Sequence, residues 1–178
     1  MKIFYINSKN YFIKEPPEKI QTLLQTFHLN FKSEKRQKEY ILSRLLLKYI
    51  PEKIYGLKNL ETGMKNGKPF FTNCNLHFSI THSRDIVAVA FSDNPVGLDI
   101  EFIKKRNFKP ILERLGIGHQ GIDLEKFYHI WTEYEAEIKL QQDAKFCYTG
   151  KLSDEYILTV CSDIAYDIVE IEEVTEFG

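Results

Sequence analysis

The sequence predicts an α+β fold of two related halves, each with strands and a helix. Two observations carry this expectation. Short β-like runs cluster between well-separated helical stretches instead of alternating with them, which argues against a βαβ series. Residues 85–93, Asp-Ile-Val-Ala-Val-Ala-Phe-Ser-Asp, are echoed by residues 155–163, Glu-Tyr-Ile-Leu-Thr-Val-Cys-Ser-Asp, at a constant offset of 70 (155 − 85). Both are apolar runs opened by an acid and closed by Ser-Asp. The expected boundaries are 1–101 for the first subdomain, 102–122 for a connecting segment and 123–178 for the second subdomain, all in one compact unit.

Residues 3–6 read as a strand. Residues 18–27 read as a helix, because Pro16-Pro17 precedes them and proline suits a first helical turn. A stronger helix is expected over 33–50. There Ile41, Leu42, Leu45, Leu46 and Tyr49 recur at spacings of three and four, while Arg36, Tyr40 and Arg44 fall on the other face. Pro51 is expected to stop it. Asn66-Gly67 signals a turn, followed by Pro69. β-like runs come at 77–80, 86–91 and 96–100, the last two separated by Asp93-Asn94-Pro95 as a turn between neighbouring strands would be. Residues 102–122 read as irregular. Asp123 is placed to cap a long helix through Trp131 to about Ala144. Further β-like runs follow at 156–161 and 164–171.

Composition narrows the class. The 178 residues are 43% hydrophobic, enough for one sizeable core, and 24 basic against 25 acidic groups leave a formal charge of −1. A nucleic-acid binder would show a basic excess. Cys74, Cys147 and Cys161 are odd in number and form no CxxC pair. Buried reduced thiols are therefore expected rather than a disulfide framework or a thiolate zinc site. The apolar run at 3–6 is too short for a signal peptide, and no window approaches the roughly 18 apolar residues of a membrane span. The expectation is a cytoplasmic monomer without a membrane or nucleic-acid partner.

Three constellations carry chemistry. In Gly97-Leu98-Asp99-Ile100-Glu101, strand alternation puts Asp99 and Glu101 on one face. Adjacent carboxylates repel unless a cation or water separates them, and a hard divalent cation such as Mg²⁺ prefers carboxylate oxygens together with phosphates. A solvated edge strand is the plain alternative. Trp131, Glu135 and Lys139 stand at i, i+4 and i+8 and form one helical stripe, which is equally the spacing of an ordinary surface Glu–Lys pair. His82, within Ser79-Ile80-Thr81-His82-Ser83, is placed to donate to a phosphate, to act as a base or simply to make a turn. Gly67-Lys68-Pro69 adds a lysine in a tight turn.

Gly-Lys-Pro, Ile-Thr-His-Ser, Gly-Leu-Asp-Ile-Glu and Trp-Thr-x-x-Glu-Ala-x-x-Lys occur in that order over residues 67–139. The series resembles the Sfp-type 4'-phosphopantetheinyl transferase family, and residues 36–44 resemble that family's Arg-rich N-terminal helix. The strand echo fits the family's two similar subdomains related by a pseudo-twofold, so the resemblance implies a small antiparallel sheet packed with helices in each, the second one (123–178) shortened. The resemblance implies a Mg²⁺-dependent enzyme, with Mn²⁺ as a possible substitute. It would move the 4'-phosphopantetheine group of coenzyme A onto a serine of an apo acyl or peptidyl carrier protein and release 3',5'-ADP. Such holo-acyl-carrier-protein synthase activity would serve fatty acid biosynthesis or a related assembly line. By matching position, Asp99, Glu101 and Glu135 would hold the metal with the pyrophosphate, and Lys139 would meet the phosphates. His82 would bind the 3'-phosphate, with Arg36, Lys38, Arg44, Lys68 and Thr81 as further coenzyme contacts.

The chain departs from the family pattern at three positions. Tyr134 replaces a lysine, Ser79 replaces an asparagine, and Gln120 falls where many members carry the glutamate proposed to deprotonate the serine. Glutamine cannot act as a base, which leaves His119, Glu125 or a metal-bound water as candidates. Two other readings use the same residues: a catalytically impaired protein that binds carrier proteins or nucleotides, and a Mg²⁺-dependent nucleotide phosphohydrolase.

Overall fold

The computed structural model describes residues 1–11 and 33–177. The helix expected at 18–27 lies outside the described residues. Within them, strand β1 (Lys2–Asn7) is followed by helix α1 (Glu34–Tyr55), the hairpin β2 (Thr62–Lys65) and β3 (Lys68–Phe71), and strands β4 (His77–Ser83), β5 (Ile86–Ser92) and β6 (Val96–Phe102). Helices α2 (Lys109–Arg114) and α3 (Leu124–Leu140) come next, then β7 (Phe146–Ser153), β8 (Tyr156–Ser162) and β9 (Glu170–Glu173). One sheet has the order β4-β5-β1-β9 and another the order β6-β8-β7. All pairings are antiparallel except β1 with β9.

The two sheets lie face to face between helices. On β5, Val87, Val89 and Phe91 pack with Leu42, Leu45 and Leu46 of α1, whereas Ile86, Ala88 and Ala90 pack with Leu98 and Ile100 of β6 and Leu158 and Val160 of β8. On β8 the alternate residues turn outward: Ile157 meets Phe127 and Tyr128 of α3, and Cys161 meets Ala136 and Leu140. Strands covered on both faces read as unbroken apolar runs, which is why the two echoed segments look alike. Each fully buried leucine here contributes about 1.5–3 kcal/mol of transfer free energy.

Local signals set several boundaries. Ser33 caps α1, its Oγ accepting the Arg36 N–H at 3.3 Å. Asp123 caps α3, accepting from the Lys126 N–H at 2.8 Å. Asn66 and Gly67 both take positive φ (50° and 77°), the conformation a two-residue hairpin turn requires.

Other expectations need correction. Pro51 does not end α1. It lies inside the last turns, and the helix closes at Gly56, whose left-handed conformation returns its N–H to the Pro51 carbonyl. Proline forfeits one backbone bond there, but the residue is buried. The turn at 93–95 reverses the chain without pairing β5 to β6, because β6 joins the second sheet. Segment 102–122 contains α2, and 146–153, which lacks an obvious β signal, forms β7. Cys147 and Cys161 are not separate thiols: β7–β8 register sets them directly opposite, and they form a disulfide, leaving Cys74 free. No helix among the described residues is long and apolar enough to cross a membrane.

Candidate active site

The site is built where α3 crosses β6. A Cβ on Gly97 would stand 2.0 Å from the Ala136 carbonyl oxygen and 2.6 Å from the Leu140 nitrogen. Only glycine therefore lets the helix backbone come this close. Gly97, Asp99 and Glu101 share one face of β6, so the face that receives α3 is the acidic one. Trp131, Glu135 and Lys139 form the helical stripe that meets it.

Contacts at both ends of the stripe fix the match. Lys139 Nζ donates to Asp99 Oδ1 at 2.7 Å and to Thr81 Oγ1 at 3.2 Å. Trp131 Nε1 donates to Glu101 Oε1 at 3.3 Å. Glu135 lies one turn from each, between them on the same stripe. It is half-buried and has no hydrogen-bond or ion-pair partner among the described residues.

Asp99 is the unusual member. It is 6% exposed, and its Oδ2 is buried without a hydrogen-bond partner among the described residues. Burial pushes its carboxyl up to about 6, although the ammonium of Lys139 and the hydroxyl of Thr81 pull the other way. A buried carboxylate oxygen left without a donor is unfavourable by itself and suits an incoming cation. The donor set, three carboxylates and no sulfur, fits a hard divalent ion.

The three carboxylates do not gather within 4.8 Å of one another. Among the described residues, Glu133, Glu137 and Cys147 do. Those two glutamates are exposed on the outward side of α3, and Cys147 is committed to the disulfide.

The remaining candidates divide by location. Lys68 donates to the Val96 carbonyl at 2.7 Å, and burial, helped by the charge of Lys139, pushes its ammonium down to about 8. A cavity of about 440 Å³, lined by Lys65, Lys68, Phe70, His77 and Gln141 among others, opens beside it. Another, of about 470 Å³, is lined by Tyr49, Lys53, Glu173 and Phe177 and includes none of the carboxylates above.

His82 points to the α1 side of β4, its Nδ1 3.7 Å from Glu39 Oε2. On the same helix, the Arg44 guanidinium stacks over Tyr40 at 4.6 Å, and its Nη1 is buried without a hydrogen-bond partner among the described residues. Lys38 Nζ donates to the Ser8 carbonyl, and Arg36 is exposed.

Two candidate bases stand apart from this group. His119 is exposed in the α2–α3 loop. Glu125 pairs with Lys151 at 2.8 Å and precedes Glu135 by ten residues, about 15 Å along the helix. Thr81 is buried, its hydroxyl accepting from the Ile100 N–H of β6 and from Lys139. Ser83, which sequence reasoning did not single out, donates to Glu101 Oε2 at 3.0 Å. The signal available for it was the alternation of hydroxyls at 79, 81 and 83.

No protein-family model matches the chain. Several 4'-phosphopantetheinyl transferases are similar to it. The chain is 34% identical over 113 residues to 4'-phosphopantetheinyl transferase psf-1 of Bacillus pumilus, covering 56% of this chain and 48% of that protein. It is 33% identical over 120 residues to 4'-phosphopantetheinyl transferase AcpT of Escherichia coli K12, covering 58% and 57%. To 4'-phosphopantetheinyl transferase gsp of Aneurinibacillus migulanus it is 37% identical over 82 residues, covering 41% and 34%. The matches thus span between about a third and just over half the length of these relatives, all of which bear the name of an enzyme.

Proposed function

We propose that this chain, similar in sequence to the 4'-phosphopantetheinyl transferases, transfers the phosphopantetheine arm of coenzyme A to a serine hydroxyl of an apo acyl or peptidyl carrier protein, with release of 3',5'-ADP. The observation that carries the reading is the buried Asp99 at the α3–β6 contact, beside Lys139, Glu101 and Glu135, with an oxygen that has no donor among the described residues. Mg²⁺ held by Asp99, Glu101 and Glu135 would offset charge on the diphosphate oxygens and align them for displacement.

Lys139 in this reading exchanges part of its contact with Asp99 for a phosphate oxygen, as a mobile ammonium with three donors can. Lys68, held over the start of β6, adds a second cation on the same side. Arg44 and His82 receive the 3'-phosphate, and the buried Nη1, without a hydrogen-bond partner among the described residues, supports that role for Arg44. The attacking hydroxyl forms the new P–O bond as the bond from phosphorus to the ADP oxygen breaks, and its proton leaves to a base. Neither His119 nor Glu125 stands in this cluster.

The same reading includes two halves related by a pseudo-twofold. Its support is that β5 and β8 each occupy an interior sheet position and are buried on both faces.

The test is the intact mass of an apo acyl carrier protein after incubation with this chain, coenzyme A and Mg²⁺. A phosphopantetheine adduct on the carrier serine supports the proposal. Cleavage of coenzyme A without an acceptor, or an unmodified carrier with coenzyme A intact, overturns it.

A further inference from the structure

Strand β4 carries hydroxyls at every second residue, Ser79, Thr81 and Ser83, all directed at β6. Their oxygens accept the backbone N–H of Leu98 at 3.0 Å, Ile100 at 3.2 Å and Phe102 at 3.0 Å. β4 and β6 are edge strands of different sheets, so side-chain hydroxyls take the place a main-chain ladder would hold. A hydroxyl that accepts an N–H still has its own proton to give. Thr81 directs it at Asp99 Oδ1, 3.1 Å away, and Ser83 at Glu101 Oε2, 3.0 Å away.

The geometry repeats with the strand period: each hydroxyl grips the N–H of one β6 residue, and Thr81 and Ser83 also hold the carboxylate of the residue before it. The Ser79 rung has no carboxylate, because Gly97 stands there to admit α3. Glu101 is consequently held at both oxygens, by Ser83 on Oε2 and Trp131 on Oε1. Asp99 is held on Oδ1 alone, and its Oδ2 has no partner among the described residues.

We infer that Thr81 and Ser83 are positioning residues for a divalent cation: they fix the rotamers of Asp99 and Glu101 so that the remaining lone pairs converge on one ion. The inference rests on the reading of these carboxylates as metal ligands. Groups that orient ligating carboxylates affect metal affinity by about 10–100-fold when removed. A hydroxyl that served only to join the sheets would affect stability and leave affinity unchanged.

The experiment measures Mn²⁺ affinity by electron paramagnetic resonance of the free ion, in the presence of coenzyme A, for wild type, Ser83→Ala and Ser83→Thr. Ser83 is half-buried at the strand end, so its variants are expected to fold, and Thr81→Ser and Thr81→Val provide the same comparison at the buried rung. Ser83→Ala should weaken Mn²⁺ binding about tenfold. It should raise the metal concentration for half-maximal transfer equally, with kcat at saturating metal within about threefold. Ser83→Thr, which keeps the proton, should restore both. A Ser83→Ala protein that is less stable yet binds Mn²⁺ like wild type overturns the positioning role and leaves the metal reading standing. Wild type that fails to bind Mn²⁺ overturns that reading, and this inference with it.

Discussion

Asp99→Asn should make the metal-free protein more stable above pH 6 while abolishing transfer. In the folded chain the Asp99 carboxyl is carried from its ordinary 3.8 up to about 6 by burial. The folded state therefore holds the proton more tightly than the unfolded chain. The stability this provides is complete below about pH 4 and is lost as pH rises through 6. At 1.36 kcal/mol per tenfold change, the loss is about 3 kcal/mol.

Asparagine does not titrate, so the variant escapes that loss but leaves the Lys139 ammonium without its carboxylate. That offset is present at pH 4 as well, so between pH 4 and pH 8 the variant gains about 3 kcal/mol on the wild type, at roughly 2–4 °C in Tm per kcal/mol. Thermal melts of both proteins in EDTA from pH 4 to 8 measure it, with the curves close together at pH 4 and diverging upward. Mg²⁺ and coenzyme A should reverse the order, since ligand at a thousandfold excess over Kd stabilises the wild type by about 4.1 kcal/mol. Parallel pH profiles for the two proteins in EDTA would refute the argument that burial destabilises this carboxylate.

Gly97→Ala should be destabilised by about 3 kcal/mol or more, because its new Cβ meets helix backbone that no rotamer can move aside; urea unfolding reads the shift. Glu135→Gln is nearly isosteric and half-buried, so it should keep the wild-type melting temperature in EDTA within a few degrees. Its kcat for transfer should fall by on the order of a hundredfold or more, and near-normal turnover would remove Glu135 from the site. His119→Ala and Glu125→Gln should retain transfer within about threefold, because both lie outside the α3–β6 cluster; a collapse of kcat with intact coenzyme binding would instead identify the base.

The components of the site were legible; their meeting was not. Strand alternation placed Asp99 and Glu101 on one face, and helical spacing placed Trp131, Glu135 and Lys139 on one stripe. Nothing in either pattern says that the face and the stripe touch. That depends on Gly97 admitting the backbone of α3, and a single glycine in a strand carries no such message by itself. The hydroxyls at 79, 81 and 83 were visible as an alternation, but their work depends on β6, which is not their hydrogen-bonded ladder partner.

The errors in the fold have the same origin. Asp93-Asn94-Pro95 reports a reversal of the chain and cannot report which sheet the next strand joins. Pro51 obeys its local preference only where nothing rewards continuing the helix, and here its burial and the Gly56 cap do. Cys147 and Cys161 gave no spacing signal, because their proximity comes from hairpin register and not from sequence distance.

The central claim is that Asp99, Glu101 and Glu135 bind the coenzyme's diphosphate through a shared cation. Calorimetric titration of coenzyme A into the protein, with Mg²⁺ and then with EDTA, tests it most directly. Binding should weaken by at least tenfold in EDTA for wild type and show little metal dependence in Asp99→Asn. Equal affinity with and without metal in the wild-type protein would contradict the account.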